Sequence, residues 1–193
     1  MKKNFITAVC FALVTTVIFG LVYPLLVTGL SQLLFPGKAN GQLIEQNGKV
    51  IGSRIIGQNF TEPGYFHSRP SAAGAGYDPT SSGSNNLGPT NKALIDRVAT
   101  DVEKTRAENP SAAVPIDLVT VSGSGLDPDI SPAAAEFQIP RVAMERGMRP
   151  DELRQLVHKH IEGRQLGFLG EPRVKVLELN LALDEAGRGA RVR

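Results

Sequence analysis

A short glycine-serine run, Ser122-Gly123-Ser124-Gly125, is the only compact glycine-rich loop in the chain. Backbone N–H groups in such loops can bind phosphate, so the run is a candidate nucleotide contact. It lacks the Gly-Lys-Ser/Thr ending of a Walker A loop and the glycine spacing of a Rossmann fold. A tight turn between a strand and a helix accounts for it more simply, and both interpretations stay open.

No other group of residues has the spacing of a catalytic or metal site. His158 and His160 are two residues apart on a predicted helix, so they point to different faces and do not pair on a metal. Asp127 and Asp129 lie on a turn without further ligands. No serine occupies a nucleophile elbow, and no aspartate has the Asp-Lys-Thr-Gly setting of a phosphorylated pump. The sequence therefore predicts neither a catalytic residue nor a metal ligand.

The chain is organised around one long apolar stretch, residues 5–35, which contains no Asp, Glu, Lys or Arg. About 20 helical residues cross about 30 Å of hydrocarbon, so this stretch predicts one membrane-spanning helix. A cleaved signal peptide would need an apolar region of only about 7–15 residues. A lipoprotein signal would need its apolar region before Cys10, where only residues 5–9 are available. An uncleaved span is the preferred interpretation.

Six mostly small residues of this span recur at every fourth position. They are Ala8, Ala12, Thr16, Gly20, Pro24 and Thr28. Residues four apart share a helix face, and small side chains there let a second helix approach closely. The row drifts by about 40° per step, so only part of it can face one partner. We expect a helix-docking surface, bent near Pro24 by the lost hydrogen bond; the alternative is an anchor in which the row arises by chance.

Charge limits both the partners and the orientation. All 19 Asp and Glu follow residue 35, whereas Lys2 and Lys3 are the only two of 21 Lys and Arg before it, so the soluble part is neutral. A neutral domain argues against nucleic-acid binding. The two lysines favour a short cytoplasmic tail (1–4) and an extracytoplasmic domain. Because the single cysteine lies in the span, we expect no disulfide in that domain.

The remaining chain predicts one α+β domain over residues 36–185 and a frayed tail over 186–193. Asn47-Gly48 between two apolar runs predicts a β-hairpin. Helix signals and alternation of apolar residues define five further elements. We expect helices from Thr90 or Asn91 to Asn109, from Pro132 to Gly147 with a break at Pro140, and from Pro150 to Glu162, and strands over 115–121 and 173–183.

The segment 61–89 has a different composition, with fourteen Gly, Ser or Pro among 29 residues. A connection of that length is usually functional or disordered. Tyr65, Phe66 and Tyr77 are apolar groups that a simple linker does not need. We therefore expect an ordered loop that packs against the domain or a partner.

Seven motifs in order along nearly the whole chain resemble the C subunit of the bacterial Kdp potassium-transporting ATPase. They are VYPLL (22–26), IGQNF (56–60), YFHSRPS (65–71), SNNLGP (84–89), SGLDP (124–128), QIPRVA (138–143) and VLELNLALD (176–184). The resemblance implies a single-span subunit of the inner membrane that is not an enzyme by itself. Its implied partners are a channel-like potassium-binding subunit, a P-type ATPase subunit that hydrolyses ATP, a small single-span subunit and the lipid bilayer.

The resemblance also implies a catalytic chaperone that raises the nucleotide affinity of the ATPase subunit, with the residue matching Gln138 meeting ATP. The predicted orientation places Gln138 outside the cell and away from ATP, so these two expectations conflict. An independent nucleotide-binding regulator using residues 122–125 and Gln138 remains an alternative. A third possibility is an exported domain held by an inert anchor.

Overall fold

The structure is a computed structural model that describes residues 1–191. The described chain forms two compact units, one comprising Met1–Ile51 and the other beginning at Gly52. It combines one N-terminal apolar helix, a β-hairpin, a small sheet and several further helices. The predicted α+β class is confirmed.

The apolar stretch forms one helical rod, Lys2–Leu34, which is long and apolar enough to cross a membrane. Its parts are α1 (Lys2–Val17), a π-helical turn (Ile18–Val22) and α2 (Tyr23–Leu34). Pro24 lies in the first turn of α2, where a missing N–H is tolerated. The structure therefore accommodates this proline by a change of helix type immediately before it.

A short helix and a hairpin follow the rod. They are α3 (Pro36–Ala39), β1 (Leu43–Gln46) and β2 (Lys49–Ser53). Asn47 and Gly48 between the strands have φ angles of 54° and 75°. A type I′ turn requires positive φ at both central residues, so the predicted hairpin and its turn are confirmed.

The second unit contains four helices and a three-stranded antiparallel sheet with order β3-β5-β4. Its elements are α4 (Lys92–Glu108), a 3₁₀ turn (Ile116–Leu118), β3 (Asp129–Ile130), α5 (Pro132–Arg146), α6 (Pro150–Lys159), β4 (Ile161–Glu162), β5 (Arg173–Lys175) and α7 (Val176–Arg191). Val174 is the central register position, opposite Ile130 on one side and Ile161 on the other.

Residues that favour helix starts and ends correctly predicted where three of these helices lie. The Asn91 side chain accepts a hydrogen bond from the Ala93 amide and so caps α4. Ser131 caps α5 in the same way, and Gly147 ends α5 in the left-handed conformation. Pro150 opens α6, which ends at Lys159, slightly before the predicted end at Glu162.

Three predictions about secondary structure are wrong. Residues 115–121 form no strand, because Asp117 in the 3₁₀ turn accepts hydrogen bonds from the Ser131 amide and hydroxyl at 2.7 and 3.1 Å. Pro140 does not interrupt α5, since Ile139 and Val142 on either side are buried and packing outweighs the cost of an interior proline.

The third error concerns the C-terminal strand expected over 173–183. Only Arg173–Lys175 is a strand, and α7 follows directly. The buried positions of α7 are Val176, Leu177, Leu179, Asn180 and Leu183. Their spacing includes steps of three and four, which is the spacing of one helix face. The helix continues to Arg191, within the range predicted as a frayed tail, and residues 192–193 lie outside the described part.

The core lies between α5, α6, α7 and the sheet, and part of the long loop enters it. Phe66 and Ala73 of segment 61–89 are both fully buried, and Phe66 belongs to the main apolar cluster. The prediction of an ordered loop that packs against the domain is confirmed.

Candidate functional site

The predicted docking row lies on an apolar rod in which no side chain is buried. Gly20 is in the π-helical turn, where the Tyr23 amide donates to the Ile18 carbonyl five residues back. A π-helical turn has more residues per turn than an α-helix, so each residue rotates the chain less about the helix axis. The π-helical turn therefore reduces the rotation of the docking row around the helix axis between Thr16 and Pro24. This local change in helix type favours a straighter stripe of small residues than a regular helix would give.

A substitution at Gly20 would meet little resistance from its own helix. A Cβ atom there would lie 3.8 Å from the Thr16 Cγ2 atom, which is an ordinary contact. Any severe effect of a larger side chain at this position would therefore come from a partner. Gly20 is the most informative position of the row.

In the second unit, the seven residues 65–71 of the long loop form an extended strap that is hydrogen-bonded to distant parts of the chain. At its centre, Phe66 donates its amide to the Asn180 side-chain oxygen at 2.9 Å. The Asn180 amide group donates back to the Phe66 carbonyl at 3.0 Å. One buried asparagine on α7 thus satisfies both backbone groups of a fully buried residue, as a neighbouring strand would.

Gln138 on α5 holds the next residue of the strap in the same manner. Its side-chain oxygen accepts from the His67 amide at 2.7 Å, and its amide group donates to the His67 carbonyl at 3.1 Å. The same oxygen accepts from Arg141 at 2.7 Å, and the amide group also donates to the Ala134 carbonyl at 3.2 Å. All four hydrogen-bonding positions of a glutamine side chain are occupied here.

Two arginines of α5 fix the N-terminal end of the strap. Arg141 donates to the Pro63 and Tyr65 carbonyls at 2.5 and 2.9 Å and pairs with Glu108 at 2.9 Å. Arg146 pairs with Asp184 at 2.8 Å, and its guanidinium lies 4.3 Å from the centre of the Tyr65 ring. The Tyr65 hydroxyl donates to the same Asp184 carboxylate. These contacts join α5, α7 and the strap in one network.

The C-terminal end of the strap contacts the glycine-serine run. Arg69 pairs with Asp127 at 2.9 Å. The Ser71 hydroxyl donates to the Gly125 carbonyl at 2.5 Å and accepts from the Tyr77 amide at 2.8 Å. The Tyr77 hydroxyl donates back to the Arg69 carbonyl. The strap is thus held by its own loop as well as by the domain.

The glycine-serine run, proposed from sequence as a phosphate contact, receives the long loop. The Ser124 carbonyl accepts from the Gly83 amide at 2.8 Å and from the Ser82 hydroxyl at 3.0 Å. A Cβ at Gly125 would lie 2.5 Å from the Gly83 carbonyl oxygen, so this position requires glycine. Ser122, Gly123, Ser124 and Gly125 form a loop but not the expected strand-to-helix turn, because the 3₁₀ turn, and not a strand, precedes them and β3 follows them. The contacts of Ser124 and Gly125 are made with the long loop.

Gln138 lines a cavity of about 350 Å³, whereas none of residues 122–125 does. The structure therefore does not bring the two parts of the predicted nucleotide site together in this cavity.

Two of the titratable side chains that line the cavity have shifted pKa values. Burial lowers the pKa of His67, with Arg141 nearby adding to the effect, and burial raises the pKa of Tyr77. Both rings are neutral at pH 7. Arg69, which lines the cavity, is already paired with Asp127.

Within residues 1–191, no group of three or more His, Cys, Asp or Glu side chains is arranged to hold a metal ion. Cys10 is exposed on the apolar rod. The described side chains that bear charge near the cavity are bound to one another and form a structural network.

The family model for the K⁺-transporting ATPase c chain, KdpC, matches residues 5–185. The chain belongs to this family. It is 64% identical over 184 residues to the potassium-transporting ATPase KdpC subunit of Koribacter versatilis, covering 95% of each chain. It is 57% identical over 198 residues to the KdpC subunit of Rhodopseudomonas palustris strain BisB18, covering 96% of this chain and all of the relative. The chain is therefore a subunit of a K⁺-transporting ATPase.

Motifs that resembled this KdpC family separately in the sequence meet in the structure. Hydrogen bonds or ion pairs join YFHSRPS to QIPRVA, to VLELNLALD and to SGLDP. The IGQNF motif joins the same region, because the Gly57 amide donates to the Leu126 carbonyl at 2.8 Å. Sequence reasoning singled out these motifs but assigned no role to Asn180, Arg141, Arg146 or Asp184. The signal that could have singled them out was a polar or charged residue beside apolar residues in the motifs or predicted elements, as for Asn180 between Leu179 and Leu181.

Proposed function

We propose that this chain is the non-catalytic, membrane-anchored subunit that assembles and stabilises a potassium-uptake ATPase complex. The observation that carries the proposal is the family match over residues 5–185, which includes both the apolar rod and the domain. The rod exposes all of its side chains and offers a row of small residues to another helix. The domain is stiffened by a buried polar network with no catalytic constellation among its described residues, which suits a scaffold.

The proposed partners are a channel-like potassium-binding subunit, a P-type ATPase subunit that carries the catalytic residues, and a small single-span subunit. The proposed location is the bacterial inner membrane, with the N-terminus in the cytoplasm and the domain outside. Lys2 and Lys3 before the rod support this orientation. Labelling of a cysteine introduced in the domain, with Cys10 replaced, tests it: a cysteine protected from an impermeant reagent in intact cells would contradict the orientation.

Helix docking is tested by Gly20→Leu in the complete complex. The leucine is tolerated by the rod itself but would separate two closely packed helices. We expect recovery of the other subunits with the tagged chain to fall by about fivefold or more, as measured by co-purification. Val22→Leu, which adds bulk two residues away on a different face, is the matched control and leaves recovery unchanged. Equal recovery with both variants would reject docking through the row.

A second proposed function is a rise in the nucleotide affinity of the ATPase subunit, with or without direct ATP contact. The cavity beside Gln138 has room for part of a small ligand, which is the observation in favour of contact. Direct contact through Gln138 would require it to release the strap, because its hydrogen-bonding groups are all engaged. Equilibrium binding of ATP to the full-length chain in detergent tests contact. Absence of binding at millimolar ATP would leave only an indirect effect.

A further inference from the structure

The connection between β4 and β5 presents large apolar side chains to solvent on an ordered turn. Leu166, Phe168 and Leu169 are 83%, 69% and 48% exposed. They lie within four consecutive positions and form a single apolar tip, here defined as residues 166–169. Isolated exposed apolar residues are normal in proteins, but a compact group of three at the end of a turn indicates a surface that binds something.

The apolar tip is held in shape by the backbone beneath it. Gln165 and Leu169 exchange two backbone hydrogen bonds of 2.9 Å. Arg164 and Glu171 close the base of the turn with an ion pair of 2.6 Å. Leu166 has a φ angle of 52°, in the left-handed region that large side chains rarely adopt. The tip therefore retains an unfavourable backbone conformation at its most exposed apolar residue.

We propose that the apolar tip inserts into the surface of the lipid bilayer that the N-terminal rod spans. The rod ends at Leu34 and the domain unit begins at Gly52. Even fully extended, the 17 intervening residues reach no further than about 60 Å, so the domain remains tethered within that distance of the end of the rod. This permanent tether gives a small apolar tip a high effective concentration of lipid, and a few side chains suffice for binding.

The shape and charge of the tip favour lipid over a pocket on another protein. Leucine and phenylalanine side chains with this degree of exposure suit the boundary between headgroups and acyl chains, which adapts to any convex shape. Arg164 at the base is 43% exposed and internally paired, so it can remain at the headgroup level without an unpaired charge entering hydrocarbon. The segment 163–172 has one Arg and one Glu and is neutral, which removes a charge barrier to insertion.

The test uses the full-length chain reconstituted into vesicles of phosphatidylethanolamine and phosphatidylglycerol. Cys10→Ser removes the native thiol, and a bimane fluorophore is attached to Leu166→Cys or, separately, to Phe168→Cys. Lipids brominated in the acyl chains quench a fluorophore that enters the hydrocarbon. We expect quenching at both tip positions at least about threefold above that at Met144→Cys, a comparably exposed apolar position on α5 with 76% exposure.

A second variant distinguishes insertion by the protein from insertion by the dye. Phe168→Ser, combined with the fluorophore at position 166, should reduce quenching at least twofold, because one of the two remaining native inserting side chains is lost. Quenching at positions 166 and 168 no greater than at position 144 would overturn the proposal. So would protection of the tip from lipid in the assembled complex together with a cross-link from it to another subunit, since the tip would then be a protein contact.

Discussion

The strap is irregular and yet partly buried, whereas helix α4 is regular and yet exposed, which is the opposite of the usual relation between secondary structure and burial. The strap, residues 65–71, has no helix or strand, yet Phe66 at its centre is fully buried and both of its backbone groups are bonded to α7. Helix α4 runs for 17 residues with a capped start, but none of its side chains is buried. Ile95, its largest exposed apolar residue, is 54% exposed.

The difference shows that stability in this domain comes from what a segment contacts more than from its secondary structure. Most helical stability in proteins comes from packing of one face, and α4 has little of it. The strap instead uses buried amide side chains in place of a neighbouring strand. A buried backbone group without a partner is expensive, so such amides specify one position of the loop.

The largest expected effect is from Phe66→Ala in the strap, set against Ile95→Ala in α4. Truncating the buried ring leaves a cavity and should lower the free energy of unfolding by about 3–5 kcal/mol. The exposed isoleucine should cost less than about 1 kcal/mol. Urea unfolding of the full-length chain in detergent, followed by circular dichroism, measures both. Similar losses for the two variants would mean that the strap is no more important to the core than α4.

A smaller effect is expected from Gln138→Leu. Leucine keeps the volume but leaves the partly buried backbone groups of His67 without their Gln138 partners, so unfolding should become easier by about 2–3 kcal/mol. Gln155→Leu on the exposed face of α6 is the matched control and should stay within about 0.5 kcal/mol of the native chain. If the two variants were equally stable, the hydrogen bonds between Gln138 and His67 would contribute nothing to holding the strap in position.

The smallest effect concerns pH and the His67 ring. Because burial and Arg141 lower the folded-state pKa below 6.5, the unfolded chain binds more protons as pH falls through 6.5. Stability is therefore fully present above pH 6.5 and declines as the pH falls towards the folded-state pKa. His67→Gln should flatten this decline between pH 7 and 5, whereas His158→Gln, at an exposed position, should leave it unchanged. A native-like decline in the His67 variant would assign the pH dependence to other groups.

Elements with local chemical signals were predictable from the sequence. Asn47-Gly48, Asn91, Ser131 and Gly147 each perform in the structure the turn or cap role that their chemistry favours. Such positions are decided by a few neighbouring atoms. The long apolar stretch was equally clear, because its length and lack of charge exclude most alternatives.

Elements decided by distant contacts were not predictable in this way. Leu177, Leu179, Leu181 and Leu183 alternate like a strand, although α7 buries positions 176, 179, 180 and 183 as a helix. No role could be assigned to Asn180 in that pattern, because its hydrogen-bonding partner lies 114 residues away. Likewise Gln138 was assigned to a ligand from resemblance, because its backbone partners on His67 cannot be deduced from local sequence.

The wide sequence separation of the strap's bonds has a consequence for biosynthesis. Tyr65 and Phe66 are synthesised early, but their partners Asp184 and Asn180 lie in α7, 119 and 114 residues later. Contacts of such high sequence separation slow folding, since a long loop must close before they form. The domain cannot complete its core before α7 has been synthesised, so the strap has no partners on α7 until that helix is available. Loss of that helix would therefore leave the strap's buried groups without partners, however intact the preceding sequence.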